Sequence, residues 1–209
     1  MIHYNILDHD DGFRIDDGQD HLLFISKNRV AVNPVLFAIE DGYGVITTAR
    51  SFDAYPKDAH PTDSDQVVVE IGAGLGGFIP TLARSHKWRL TVIDPFDYQI
   101  AQAMLEFAKG LELADWQRLY VEELLERSCV YLDPNRVQLV PYRLGEALKR
   151  VPSLAGSADV VVDYFGALQY PTTEGSLGAF VEDLECLLLR PGGVLIAKPI
   201  GGFPQVIRP

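Results

Sequence analysis

The chain has 209 residues, 47% of them hydrophobic and 22% charged, which suits one substantial domain with an appendage and excludes collagen-like, low-complexity and wholly disordered chains. Eighteen Lys and Arg against 29 Asp and Glu leave a formal net charge of -11, which argues against phosphate backbones and anionic membranes as partners. No apolar run approaches the ~20 residues that span a bilayer, and the first residues carry neither a basic nor an apolar signal region. These features predict a soluble cytoplasmic protein. Cys129 and Cys186 are the only cysteines; both fall in stretches that read as helix and are expected to fill the core, with no metal site indicated.

In chain order, HLLFISKNRVAV and GYGVITTA have the β-branched and aromatic content of short strands, with NPVLFAIEDG between them read as a helical turn. The polar, proline-containing stretch 51–66 reads as a linker. Residues 1–60 are therefore expected to form an N-terminal appendage or lid with its linker, and 61–209 the main domain.

Beyond the linker the pattern becomes regular. QVVVEIG (66–72), RLTVID (89–94), RVQLVPY (136–142), ADVVVD (158–163) and GVLIAKP (193–199) are short apolar runs separated by helical segments. Nearly continuous apolar strands are expected where a parallel sheet is covered on both faces. Ile100, Met104, Phe107 and Ala108 share one helical face, and residues 115–132 form a further amphipathic segment that lengthens the second crossover. Leu177, Phe180, Val181, Leu184, Leu187 and Leu188 make an apolar stripe, with Arg190 in the last turn, Pro191 ending the helix and Gly192-Gly193 turning into the next strand. Strands alternating with helices predict a doubly wound, mostly parallel α/β sheet of Rossmann-like type.

The densest chemical signal is Val-Val-Val-Glu70-Ile-Gly72-Ala73-Gly74-Leu-Gly76-Gly77, a buried strand running through glycines into a helix near Phe78. Glycines there allow a tight turn and close approach of a nucleotide-like ligand. Gly72, Gly74 and Gly77 also fit a dinucleotide spacing, and such a turn can be purely structural. The next strand ends Thr-Val-Ile-Asp94-Pro95, a carboxylate about 20 residues past the glycines, where such folds bind ribose hydroxyls.

The ordered set VVVEIGAGLGG, LTVIDP, RLGEAL, ADVVVDYFGALQY and LLLRPGGVLIAKP resembles the class I S-adenosylmethionine-dependent methyltransferases over residues 66–199. Their acidic residue two before the first glycine matches Glu70, and their Pro-Gly-Gly return matches Pro191 to Gly193; a dinucleotide dehydrogenase usually has neither. The resemblance implies S-adenosyl-L-methionine as cofactor. It sets Gly72 and Gly74 against the methionine portion and adenosine, Asp94 on the ribose, Glu146 and Ala147 near the adenine, and Asp163 and Tyr164 where the methyl group is exposed, and it counts Glu70, Ala73, Gly76, Pro95 and Asp163 among the cofactor-binding residues. Glu146 stands where the family more usually has Asp. Only about ten residues follow the fifth strand, so the sheet reads as truncated at its C-terminal end. The N-terminal strands, a second subunit or an unusual acceptor pocket would complete it, and a homodimer is the favoured expectation.

Methyl transfer needs orientation and desolvation more than a covalent nucleophile. An oxygen acceptor would gain from a base, for which Asp163, Tyr164 and Tyr170 are the candidates by position, with His60 and His86 more remote. Each also has a plain structural role: Tyr164 and Tyr170 as pocket walls, Asp163 as a loop cap, His86 beside Lys87 at a helix end. The Asn/Asp-Pro-Pro-Tyr element of nucleic-acid and glutamine methylases is absent at DYFGALQY, which favours a small-molecule acceptor. The alternatives are transfer of the aminoalkyl group from the same cofactor, a non-catalytic methyltransferase-like partner domain, and nicotinamide chemistry.

Overall fold

A computed structural model describes residues 4–9, 12–16, 21–27, 32–40, 43–48, 65–85, 87–163, 183–197 and 205–207. The chain divides into two compact units, one of Met1–Arg50, Gly74–Gly77 and Phe96–Leu132, the other of Ser51–Ala73, Phe78–Pro95 and Asp133–Pro209.

In the first unit, strands β1 (Asn5–His9), β2 (Gly12–Asp16), β3 (His21–Lys27), β4 (Val32–Glu40) and β5 (Tyr43–Thr48) form an antiparallel sheet in chain order. The segment NPVLFAIE is thus strand, not helical turn. Val35 to Ala38 pair with β3 on one side and β5 on the other, while Pro34 lies opposite Ile25 beyond the last β5 pair, Val35 with Thr48. A proline lacking the N–H is tolerated there because only one neighbour needs bonding. At the far end of the β4–β5 pair, Glu40 is opposite Tyr43.

The same unit holds two helices of the later chain. Helix α2 (Tyr98–Lys109), which follows a short α1 (Phe78–Ala83) of the second unit, starts where Asp97 Oδ1 accepts from the N–H groups of Gln99 and Ile100 at 2.9 and 3.0 Å. It buries Tyr98, Ala101, Met104, Leu105 and Ala108. Ile100 and Phe107, expected on the buried face, are only half-buried, and the Phe107 ring meets Tyr4 at 4.6 Å between centroids. Helix α3 (Asp115–Tyr131) buries Val121, Leu124, Leu125, Arg127, Ser128, Val130 and Tyr131. Cys129 lies exposed on it and accepts from Gln102 Nε2 at 3.1 Å, so it is not the core filler expected; Cys186 is half-buried.

The second unit is built on a six-stranded sheet. Strands β6 (Val67–Ile71), β7 (Arg89–Ile93), β8 (Val137–Val140), β9 (Ala158–Asp163), β10 (Leu189–Ala197) and β11 (Gln205–Ile207) are arranged β11-β10-β9-β6-β7-β8. All neighbours are parallel except β10 and β11. The expected truncation is therefore modified. The β10 edge takes a sixth, antiparallel strand from the last residues of the chain, while the N-terminal strands form a sheet of their own.

Both faces of the parallel sheet are buried, which explains the continuous apolar runs. Val69, Ile71, Ile93, Val161, Leu195 and Ala197 form one core cluster with Leu144 and Ala147 of helix α4 (Leu144–Arg150), Leu154 and Leu188. Val68, Val92, Val162 and Ile196 on the other face are equally buried.

The crossover into β10 differs from the sequence reading. Residues 183–186 are helical, Leu189 already pairs with Ala158, and the register shifts between Leu189 and Val194. Arg190 to Gly193 therefore form an irregularity inside the strand instead of a helix end and turn. Leu184 and Leu188 do pack on the core, but Leu187 is exposed; Leu177, Phe180 and Val181 lie outside the described residues.

Arg190 lies against the buried Asp159 carboxylate, whose Oδ2 also accepts from Val67 N–H at 2.8 Å. One side chain thereby ties β6, β9 and β10 at one end of the sheet. Asp159→Ala should cost about 1–2 kcal/mol in urea denaturation, because the Val67 N–H loses its acceptor while the half-exposed guanidinium returns to water. Asp159→Asn should recover part of this loss, and equal stability of all three proteins would remove the tie.

Candidate functional site

In a doubly wound sheet, ligands bind at the carboxyl ends of the strands where the strand order reverses. Here the chain runs from β6 outward to β7 and β8, then returns to β9 on the other side of β6. The reversal therefore falls between β6 and β9, and the glycine-rich sequence leaves β6 at that point. Glu70 is paired with Val92 on one side and Val162 on the other, so the carboxyl ends of β6, β7 and β9 are nearly level.

Backbone hydrogen bonds extend this alignment past the strands. Gly72 N–H donates to Ile93 O at 2.9 Å, and Asp94 N–H donates to Val140 O at 3.1 Å. Gly72 and Asp94 are thus held side by side at the end of the sheet by bonds that do not depend on their side chains. Gly72 has φ 64° and Gly74 φ 51°, both in the left-handed region that costs a side-chain-bearing residue about 1–2 kcal/mol. The glycines are needed for the turn itself, whatever they contact.

The carboxylates differ in placement. Glu70 and Asp94 are 2% and 4% exposed, and Asp163, the last residue of β9, is fully buried. Pairing of Glu70 with Val162 sets Glu70 on one face of the sheet and Asp163 on the other. These two acids do not form a dyad. Pro95 is half-buried, while Ala73, Gly74 and Gly76 are buried.

Glu146 lies exposed on α4, where its Oε1 accepts from Arg150 Nε at 2.6 Å. This bond and the Glu146 charge raise the Arg150 pKa, and its guanidinium also stands 4.9 Å from the centre of the Tyr142 ring. Ala147 is fully buried in the core cluster. Any contact from Ala147 to a ligand would therefore come from its backbone. Tyr164, Tyr170, His60 and His86 lie outside the described residues.

Two residues without an assigned role in the sequence reading hold the loop that follows Gly74. Arg127 Nη1 donates to Leu75 O at 2.9 Å, and Tyr131 Oη donates to Gly76 O at 2.9 Å. Both belong to α3, and Arg127 is also paired with Glu123. The available signal is an arginine at helical spacing from Leu124 and Tyr131 on the buried face of the segment. Nearby on the same helix, burial pushes the Tyr120 phenol up to about 12, with the Arg127 charge opposing the shift.

Among the described residues, no group of three or more His, Cys, Asp and Glu side chains could hold a metal ion, and no helix is long and apolar enough to cross a membrane.

No protein-family model matches this chain, and no curated protein matches it significantly. Seventeen chains in solved structures do. One is a Methanococcus maripaludis protein described as a candidate S-adenosyl-L-methionine-dependent methyltransferase, 15% identical with a TM-score of 0.39 over 65% of this chain and 48% of that one. Another is Pyrococcus horikoshii TYW2 in complex with MeSAdo, 13% identical with a TM-score of 0.37 over 78% and 51%. A third is YjhP of E. coli, 19% identical with a TM-score of 0.34 over 68% and 49%. The chain spans about half the length of these proteins. The chemistry proposed below rests on this chain's own residues.

Proposed function

We propose that this protein is an S-adenosyl-L-methionine-dependent methyltransferase acting on a small-molecule acceptor. The observation that carries the reading is the turn at the strand-order reversal. Left-handed Gly72 leaves β6 two residues after buried Glu70, the next strand ends level with it in buried Asp94, and Gly74 follows in the left-handed region. A turn that selects glycine presents no Cβ to an approaching ligand, and a buried strand-end carboxylate suits a ribose diol. The residues present therefore fit the cofactor at its ribose and methionine portions. At the adenine end Glu146 Oε1 accepts from Arg150, and its second carboxylate oxygen would accept from the base.

When bound, S-adenosylmethionine supplies an electrophilic methyl group on a sulfonium. Asp94 would accept hydrogen bonds from the ribose hydroxyls, and the backbone from Gly72 to Gly76 would seat the methionine portion. Asp163, fully buried at the end of β9, would orient an acceptor hydroxyl or take its proton. With no covalent intermediate to form, alignment of acceptor and methyl group on a dry sheet end would supply most of the rate. The net charge of -11 supports a small acceptor over nucleic acid.

The test is a parallel thermal-shift and calorimetric titration with S-adenosylmethionine, S-adenosylhomocysteine and NADH. Saturation at about 100 times Kd should add ~2.7 kcal/mol of stability, or about 5–10 °C for a chain of this length. Response to the S-adenosyl compounds is the expected result; response to NADH alone would replace the reading with hydride transfer.

A further inference from the structure

We infer that Arg127 and Tyr131 are positioning residues that set the direction of the glycine loop's peptide groups for ligand binding. The inference deepens the cofactor reading above and rests on it. Arg127 is 8% exposed and Tyr131 1% exposed, and they stand four residues apart on α3, one turn along the same face. Each spends its donor on a loop carbonyl 52 or 55 residues earlier in the chain: Arg127 on Leu75 O, Tyr131 on Gly76 O.

Two consecutive peptide planes are thereby fixed. No peptide bond among the described residues is cis, and a trans peptide points its N–H opposite its C=O. With the carbonyls of Leu75 and Gly76 directed at α3, the N–H groups of Gly76 and Gly77 point away from it. A glycine-rich loop has little conformational preference of its own, so these donors would sample many directions without the two anchors. An arrangement of successive N–H groups suits a carboxylate or other anionic portion of a ligand.

The anchors are themselves held. The Arg127 guanidinium also pairs with Glu123. The Tyr131 ring packs against Tyr98 at 4.6 Å with the planes tilted by 31°, and Tyr98 meets Phe96 edge-on at 4.9 Å. Phe96 and Tyr98 begin the segment that directly follows Asp94-Pro95. The aromatic row thus links the loop after Gly74 to the chain leaving the β7 carboxylate.

Tyr131→Phe and Arg127→Met test this, with Leu124→Ala as a control that opens a cavity in the same helix. Two quantities are read: hydrogen exchange at residues 75–77 in the ligand-free protein, and Kd for S-adenosylhomocysteine by calorimetry. Tyr131→Phe and Arg127→Met should speed exchange at Gly76 and Gly77 and raise Kd about three- to tenfold. Leu124→Ala should lower the melting temperature and leave Kd unchanged. Binding by the unsubstituted chain with equal Kd in both anchor variants would overturn the positioning role alone. No binding by the unsubstituted chain would overturn the cofactor reading, and the ligand role of the anchors with it.

Discussion

Asp94→Ala is expected to weaken binding of S-adenosylhomocysteine by roughly ten- to hundredfold, about 1.5–3 kcal/mol, the worth of hydrogen bonds to a charged acceptor. The expectation follows from where the carboxylate stands. Asp94 is 4% exposed, and its backbone is pinned to Val140 O, so the side chain projects from a fixed point beside Gly72. Because those pins are backbone bonds, alanine should leave the sheet end in register. Calorimetric titration beside a ligand-free melt separates binding from stability. Affinity equal to that of the parent would remove Asp94 from the site, and a collapse of the melt without ligand would make its role structural.

Gly74→Val should lower the Tm by about 3–10 °C, because a β-branched residue at φ 51° carries about 1–3 kcal/mol of strain. The same substitution should abolish binding of S-adenosylhomocysteine, since a branched side chain would stand between the loop backbone and the ligand. Gly74→Asn separates strain from obstruction. Asparagine visits the left-handed region readily, so this variant should regain most of the stability while still binding weakly. A valine variant as stable as the parent would mean that residue 74 can leave the left-handed region without loss.

The two expectations draw on different interactions. Asp94 acts through a side chain and Gly74 through the lack of one. Their effects on Kd should therefore add to that of Tyr131→Phe unless the loop moves as a body, in which case the Gly74 and Tyr131 effects will couple.

Much of the parallel sheet was legible in the sequence. The runs around Val67–Ile71, Arg89–Ile93, Val137–Val140 and Ala158–Asp163 are strands as expected, because a strand buried on both faces writes its burial into consecutive residues. The turn through Gly72 and Gly74 and the acid closing β7 were equally plain, since both are local: a left-handed backbone selects glycine, and a strand end is marked by the change of pattern after it. Other features depended on contacts distant in sequence. NPVLFAIE becomes strand because β3 and β5 flank it, and its own composition fits a helical turn as well. The last residues add a strand because the β10 edge offers bonds to them. Cys129 and Leu187 sit on outward sides of elements whose apolar content suggested burial.

The amino-acid sequence by itself determined the parallel α/β order and the glycine turn with its strand-end carboxylate, because these arise from preferences of neighbouring residues along the chain. Only the tertiary structure decided that Glu70 and Asp163 lie on opposite faces of the sheet and that Arg127 and Tyr131 hold the loop carbonyls of Leu75 and Gly76. Strand register and a buried donor's choice of acceptor come from packing between segments more than 50 residues apart, where local propensity has no bearing and the cost of an unsatisfied buried polar group selects the partner.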